Sequence, residues 1–277
     1  MVPRVLTIAT SDSGGGAGIQ ADLKAFAAAG CHGMSALVAL TAQNTTAVTD
    51  VHELPPEFVR AQLDAVFDDI GVDAAKTGML FSREQIETVA SFLEEHPVEL
   101  VVDPVMVASS GATLLKDDAV HVLVERLLPL ATAVTPNLAE AHVLAGHDPG
   151  SDPKTRPELA EAIVEKGARA VIVKGGHGDE PIDHLFDGER HVEIPVPRYD
   201  IPATHGAGCT HSASLAAYLA HGLVLEEAAR RAAHAASEAV RNGLVEIGAG
   251  EGPVDVLKVK ERHGDLAGRH AARAARA

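Results

Sequence analysis

The chain has no tryptophan, and aromatic residues make up only 3% of its 277 positions. Recognition of single-stranded nucleic acid needs aromatic platforms for the bases, so that class is excluded. Positive charge is also short: 39 acidic side chains against 23 basic ones leave a formal charge of -16, the wrong sign for a phosphodiester backbone. Cysteine occurs only at Cys31 and Cys209, too rarely for a disulfide framework. No apolar run approaches the ~20 residues of a membrane-spanning helix. The stretch after Met1-Val2-Pro3-Arg4 breaks at Ser11 and Asp12, shorter than a signal-peptide core. These absences predict a cytoplasmic protein with no nucleic-acid or membrane partner. No Gly-Lys-Ser or Gly-Lys-Thr is present, which rules out a Walker A loop, and no His-Glu-x-x-His marks a zinc site.

Hydrophobic residues at 46% and charged residues at 22% supply a buried core, and nothing resembles a linker. One domain is expected over 1–257. The remaining 258–277, where Lys258, Lys260, Arg262, Arg269, Arg273 and Arg276 outnumber Glu261 and Asp265, reads as a poorly ordered basic tail. Short apolar runs alternate with segments of helical period, the pattern of a mostly parallel sheet with crossover helices. Strands are predicted at 5–9, 34–41, 72–76, 100–102, 132–135 and 170–173, with a hairpin of 183–186 and 191–195 across Asp187-Gly188. Helices are predicted at 17–29, from Pro55-Pro56 to Ile70, and at 83–95, 117–127, 138–145, 157–166, 210–221 and 225–242.

Asp12, Lys76, Asp103, Asn137 and Lys174 all fall at predicted strand ends, so they should meet on the rim where doubly wound sheets bind ligands. The stretch from Thr204 to Ser212 (Thr-His-Gly-Ala-Gly-Cys-Thr-His-Ser) runs into a helix. Its glycines and the helix dipole suit an anion, although a plain glycine-bearing cap fits the same residues. Cys209 at its mouth should feel the same N–H groups, and its pKa should be lowered. The run Ser11 to Gly18, with glycines at 14, 15, 16 and 18, fits either close approach of backbone to a small ligand or a flexible turn, with Asp22 one helical turn further in. Asp103, Asn137 and Glu140 offer two carboxylates and an amide oxygen to a hydrated Mg²⁺; a capping box between Asn137 and Glu140 is the structural alternative. Lys174, leaving an apolar strand, fits a phosphate clamp. Together these are the parts of phosphoryl transfer without a P-loop.

Residues 9–24, Ala42-Gln43-Asn44-Thr45, Lys76-Thr77-Gly78-Met79-Leu80, Asp103-Pro104-Val105-Met106, Thr135-Pro136-Asn137 with Glu140, Lys174-Gly175-Gly176-His177 and Thr204 to Thr210 closely resemble the hydroxymethylpyrimidine/phosphomethylpyrimidine kinase family of thiamine biosynthesis, within the ribokinase superfamily. The resemblance implies a ribokinase-like three-layer α/β/α sandwich, a homodimer, and Mg²⁺-dependent transfer from ATP to a hydroxymethylpyrimidine and then to its monophosphate. It implies Cys209 as catalytic base where most superfamily members carry aspartate, and an anion hole at Gly206, Ala207, Gly208 and Cys209. Asp103 and Glu140 would hold magnesium, Asn137, Lys174 and Thr204 would contact ATP or its phosphates, and Asp12, Gly16, Asp22, Gln43, Met79 and Val105 would form the pyrimidine site. Thr10, Ala207 and His211 depart from the family's usual glycine, threonine and apolar residue. Pyridoxal or pyridoxine phosphorylation is the alternative activity, and a binding sensor without turnover the alternative class.

Overall fold

The computed structural model describes residues 1–106, 115, 117–147, 154–176 and 181–264. His177 and the tail beyond Gly264 lie outside the described residues. Nine strands form one sheet in the order β3-β2-β1-β4-β5-β6-β7-β8-β9. Strands β1 (Arg4–Asp12), β2 (His32–Gln43), β4 (Ala74–Thr77), β5 (Glu99–Val102), β6 (Ala133–Val134) and β7 (Val171–Val173) run parallel. At the edges, β3 (Val48–Glu53) pairs antiparallel with β2, and β8 (Ile182–Phe186) and β9 (His191–Pro195) form the expected hairpin beside β7.

The parallel strands are apolar on both faces because helices cover both. On one side Leu6, Ile8, Ala75, Val102 and Val134 pack against α2 (Pro56–Asp69), α3 (Arg83–Glu95), α4 (Asp117–Val122), α5 (Leu138–Ala145) and α6 (Arg156–Val164). On the other, Val5, Val101, Ala133 and Ile172 pack against α1 (Gly18–Ala28), α7 (Ala207–Ala220) and α8 (Leu225–Arg241). The alanines of α7 and α8 let these two helices lie close to the sheet and to each other. The result is the three-layer sandwich expected.

The differences from the sequence pattern are local. Strand β3 is not evident in the sequence because its Thr49, Asp50 and His52 face solvent; it is held by main-chain pairing with β2, by Val51 against the core and by Glu53, which accepts the Ser82 hydroxyl. The helix expected over 117–127 relaxes after Val122 into a π-helical turn, Leu123–Leu127, and a 3₁₀ turn ending at Leu130. Helix α7 begins at Ala207, one turn before the expected 210, so Gly208 and Cys209 belong to its first turn. The chain leaves β1 for β2 on one side and returns to β4 on the other, which opens a crevice at the carboxyl ends of β1 and β4.

Candidate active site

That crevice gathers the predicted rim. Asp12 ends β1, Thr77 and Gly78 leave β4, Asp103 follows β5, Asn137 follows β6, and Lys174 follows β7 as a parallel bridge partner of Asn137. The first turn of α7 joins them. Ser212 Oγ donates to the Gly208 carbonyl at 3.0 Å and lies 2.7 Å from Thr135 Oγ1, which ties this turn to the end of β6.

The cradle is shaped by Gly206, whose φ of 84° lies in the left-handed region and whose Cβ, were one present, would sit 1.8 Å from the Gly16 carbonyl oxygen. This close approach locks the cradle to the Ser11–Gly18 loop. Asp12 organises that loop from within: it accepts N–H groups of Gly14 at 2.7 Å, Gly16 at 3.0 Å and Ala17 at 2.8 Å, and lies 3.1 Å from His205 Nε2. Burial works to raise the Asp12 pKa, but His205 and the loop amides bring it below the usual carboxylate range. Its oxygens are thus spent on the loop's own shape.

Within the cradle the Ala207 N–H donates to the Thr204 carbonyl at 3.0 Å, so the Ala207 amide expected in the anion hole is already used. The first-turn amides of Gly208 and Cys209, which have no acceptor inside the helix, are what the cradle offers. Thr204 Oγ1 is occupied by Glu251. Lys174 Nζ reaches the same place: a Cβ at Gly208 would lie 3.3 Å from it, and it donates to Asp103 Oδ1 at 2.9 Å.

Three titratable groups meet beneath the rim. Lys76, fully buried in an otherwise apolar strand, donates to Asp22 at 2.9 Å and stands 3.8 Å from Asp103 Oδ2. Burial opposes its charge, yet Asp22, the Cys209 sulfur and Asp103 raise its pKa and keep it protonated. Thr7 Oγ1 donates to the second oxygen of Asp22 at 2.6 Å. Asp22, expected in the pyrimidine site, is therefore the buried counter-ion of Lys76 and shows no surface to a ligand. Burial likewise pushes against ionisation of Asp103, and Lys174 and Lys76 overcome it.

Cys209 contradicts its expectation. Burial pushes the thiol up to about 11, and the charges of Asp103 and Asp22 add to this, outweighing Lys76 and the Gly18 N–H. Desolvation and two nearby carboxylates thus reverse the lowering expected at a helix terminus.

Asn137 and Glu140 form the capping box in full, with Asn137 N–H on Glu140 Oε2 at 2.8 Å and Glu140 N–H on Asn137 Oδ1 at 2.9 Å. Burial, with Asp103 adding to it, raises Glu140 to about 7. Asp103 Oδ2 is buried without a hydrogen-bond partner. Among the described residues no group of three or more His, Cys, Asp or Glu is placed to hold a metal. The donor set therefore fits a magnesium ion carried mainly by water and phosphate oxygens, with the orphaned Asp103 oxygen as the protein's contribution.

Of the remaining pyrimidine-site residues, Met79 is buried and its carbonyl accepts Thr10 Oγ1 at 3.1 Å, so Thr10 ties β1 to the turn after β4. Val105 is half-buried beside Asp103. Gln43 Oε1 accepts Thr41 Oγ1 at 3.1 Å, and with Asn44, Thr45, Thr46, His205, Gly250 and Glu251 it lines a cleft of about 300 Å³. Lys76 was the role sequence reasoning missed. Expected on the rim, it instead lies fully buried one residue before the end of β4, and the available signal was a lysine closing an apolar run, which when buried requires a counter-ion.

Comparison with known proteins gives concordant results. The family described as phosphomethylpyrimidine kinase matches residues 12–255. A hydroxymethylpyrimidine/phosphomethylpyrimidine kinase of Rhizobium meliloti (strain 1021) is 51% identical over 259 residues, 92% of this chain and 97% of that protein. The thiamine biosynthesis bifunctional protein ThiED of Geobacter sulfurreducens is 50% identical over 93% of this chain and 53% of its own length. Among solved structures, the pyridoxal kinase of Staphylococcus aureus in complex with AMP-PCP and pyridoxal superposes with a TM-score of 0.83 at 37% identity, covering 92% of this chain and 94% of that one.

Proposed function

The chain belongs to the phosphomethylpyrimidine kinase family, and from that membership we propose that the rim between β1 and β7 is the active site of a phosphotransferase in thiamine biosynthesis. It uses ATP to phosphorylate 4-amino-5-hydroxymethyl-2-methylpyrimidine, and then the monophosphate to the diphosphate. The observation that carries the reading is the 51% identity across nearly the whole of a relative so named, with the matched motifs converging on one rim.

In this reading the substrate hydroxyl oxygen bonds to the γ-phosphorus as the bond to the bridging oxygen of ADP breaks. The hydroxyl proton passes to the Cys209 sulfur in its thiolate form. The Gly208 and Cys209 amides and Lys174 face the charge on the transferred group, where fixed donors are most effective. Asp103, backed by Lys76 and Lys174, would hold magnesium with Glu140 behind it, and the ion would neutralise phosphate charge. Gln43, Met79 and Val105 would line the pyrimidine side, with Asp12, Gly16 and Asp22 shaping it from behind. The working form is proposed as a cytoplasmic homodimer. Among the described residues no helix is long and apolar enough to cross a membrane.

The likeness to a pyridoxal kinase favours pyridoxal as a second substrate. Incubation with Mg-ATP and either the pyrimidine alcohol or pyridoxal, followed by product separation, decides between them. The expected products are pyrimidine mono- and diphosphate, formed faster than pyridoxal phosphate. A preference for pyridoxal would reverse the assignment, and ligand binding without turnover would make the protein a sensor.

A further inference from the structure

Two buried polar side chains behind the rim have no part in the chemistry above. His211 lies on the inner face of α7, one turn beyond Gly208, and Asp183 lies in β8; both are almost fully buried. Burying such groups is costly, so their contacts need a purpose. His211 Nε2 stands 3.0 Å from Asp183 Oδ2. The other Asp183 oxygen, Oδ1, accepts the N–H of Gly175 at 2.8 Å. Gly175 directly follows Lys174 and is pressed onto β8, for a Cβ there would lie 2.2 Å from the Ile182 carbonyl oxygen. Lys174 Nζ in turn bonds Asp103 and borders Gly208. The contacts close a ring from the first turn of α7 through His211, Asp183 and Gly175 to Lys174 and back to α7.

We propose that His211 and Asp183 are a positioning pair that fixes Lys174 relative to the anion cradle. The pair joins α7, which supplies the cradle amides, to the turn that supplies the ammonium. Without it, these two parts of the phosphate site belong to separate elements that meet only indirectly, through Ser212 on Thr135 and the Lys174 N–H on the Pro136 carbonyl. Burial alone would raise the Asp183 pKa, but contact with His211 and the Gly175 amide lowers it, in keeping with an ionised carboxylate held between them.

The inference rests on the reading of Lys174 as the residue that meets the transferred phosphate, and a double-mutant cycle separates the two. His211→Phe, Asp183→Asn and Lys174→Met are made singly, and the first two also on the Lys174→Met background. Each is assayed with Mg-ATP and the pyrimidine alcohol after its folding is checked by thermal unfolding. His211→Gln replaces His211→Phe if the latter does not fold. Each single change at 211 or 183 should lower kcat/KM for ATP about ten-fold, with KM for the pyrimidine unchanged, and should lower it no further once Lys174 is gone. Equal losses on both backgrounds would overturn the positioning role while leaving Lys174 in place. Full activity of Lys174→Met would overturn the role of Lys174 and the inference with it.

Discussion

A thiol whose pKa is raised to about 11 carries only about one part in ten thousand of thiolate at pH 7, so Cys209 is a scarce base at neutrality. The cause is local. Desolvation, Asp103 and Asp22 all favour the protonated sulfur, while Lys76 opposes them. Because the pKa is raised, ionisation grows as pH rises, and if the thiolate is the base then kcat should climb about ten-fold per pH unit between roughly pH 7 and 9. Cys209→Ala should lower kcat ~10²-fold or more, with ATP affinity little changed, and should abolish that rising limb. A pH–rate profile for the two proteins checks both points. If the alanine variant keeps the wild-type slope, proton transfer to Cys209 is not part of the reaction.

The cradle is precise because two loops interlock through missing side chains, which can be tested on α7 itself. Gly206→Ala adds a methyl at a φ of 84°, where it would overlap the Gly16 carbonyl oxygen. Gly222 just past the other end of α7 has nearly the same φ, 81°, and nothing within 4 Å of its would-be Cβ. Gly222→Ala should therefore cost only the backbone strain, on the order of 1 kcal/mol, and keep full activity. Gly206→Ala should cost more than about 2 kcal/mol and lose most activity, because the substrate loop and cradle are forced apart. Equal behaviour of the two variants in chemical denaturation and turnover would show that the interlock is unimportant. The contrast also marks what the sequence made legible. Strand ends carrying Asp103, Asn137 and Lys174 stood out because a polar residue stops an apolar run. Gly206 stood out as a turn former. The start of α7 did not, since Ala207 and Gly208 read as turn as readily as helix. The partners of buried charges were hidden as well: Lys76 and Asp22, or His205 and Asp12, are far apart in the chain, and only the packing of α1 and α7 on the sheet brings them together.

At the scale of the whole molecule, a protein of formal charge -16 that is proposed to hold phosphate on its rim gathers positive features in one crevice. Lys174, Lys76 and the start of α7 converge where β1 and the strands from β4 to β7 end, and there the lysines balance Asp22 and Asp103, so the first-turn amides of α7 meet an anion without the repulsion of unpaired carboxylates. These strands form the middle of a single sheet, and the two apolar cores lie on its opposite faces. Neither core exists without the sheet. Residues 1–257 should accordingly unfold as one unit, and a ligand on the rim should stabilise all of it. At a concentration of Mg-ATP about 100 times its Kd, the gain should be about 2.7 kcal/mol. For a domain of this size that raises the Tm by roughly 5–10 °C. Calorimetry with and without nucleotide should then show one transition that moves as a whole. Two transitions, or a shift confined to part of the signal, would mean that the layers fold separately and that the rim is not their common seam.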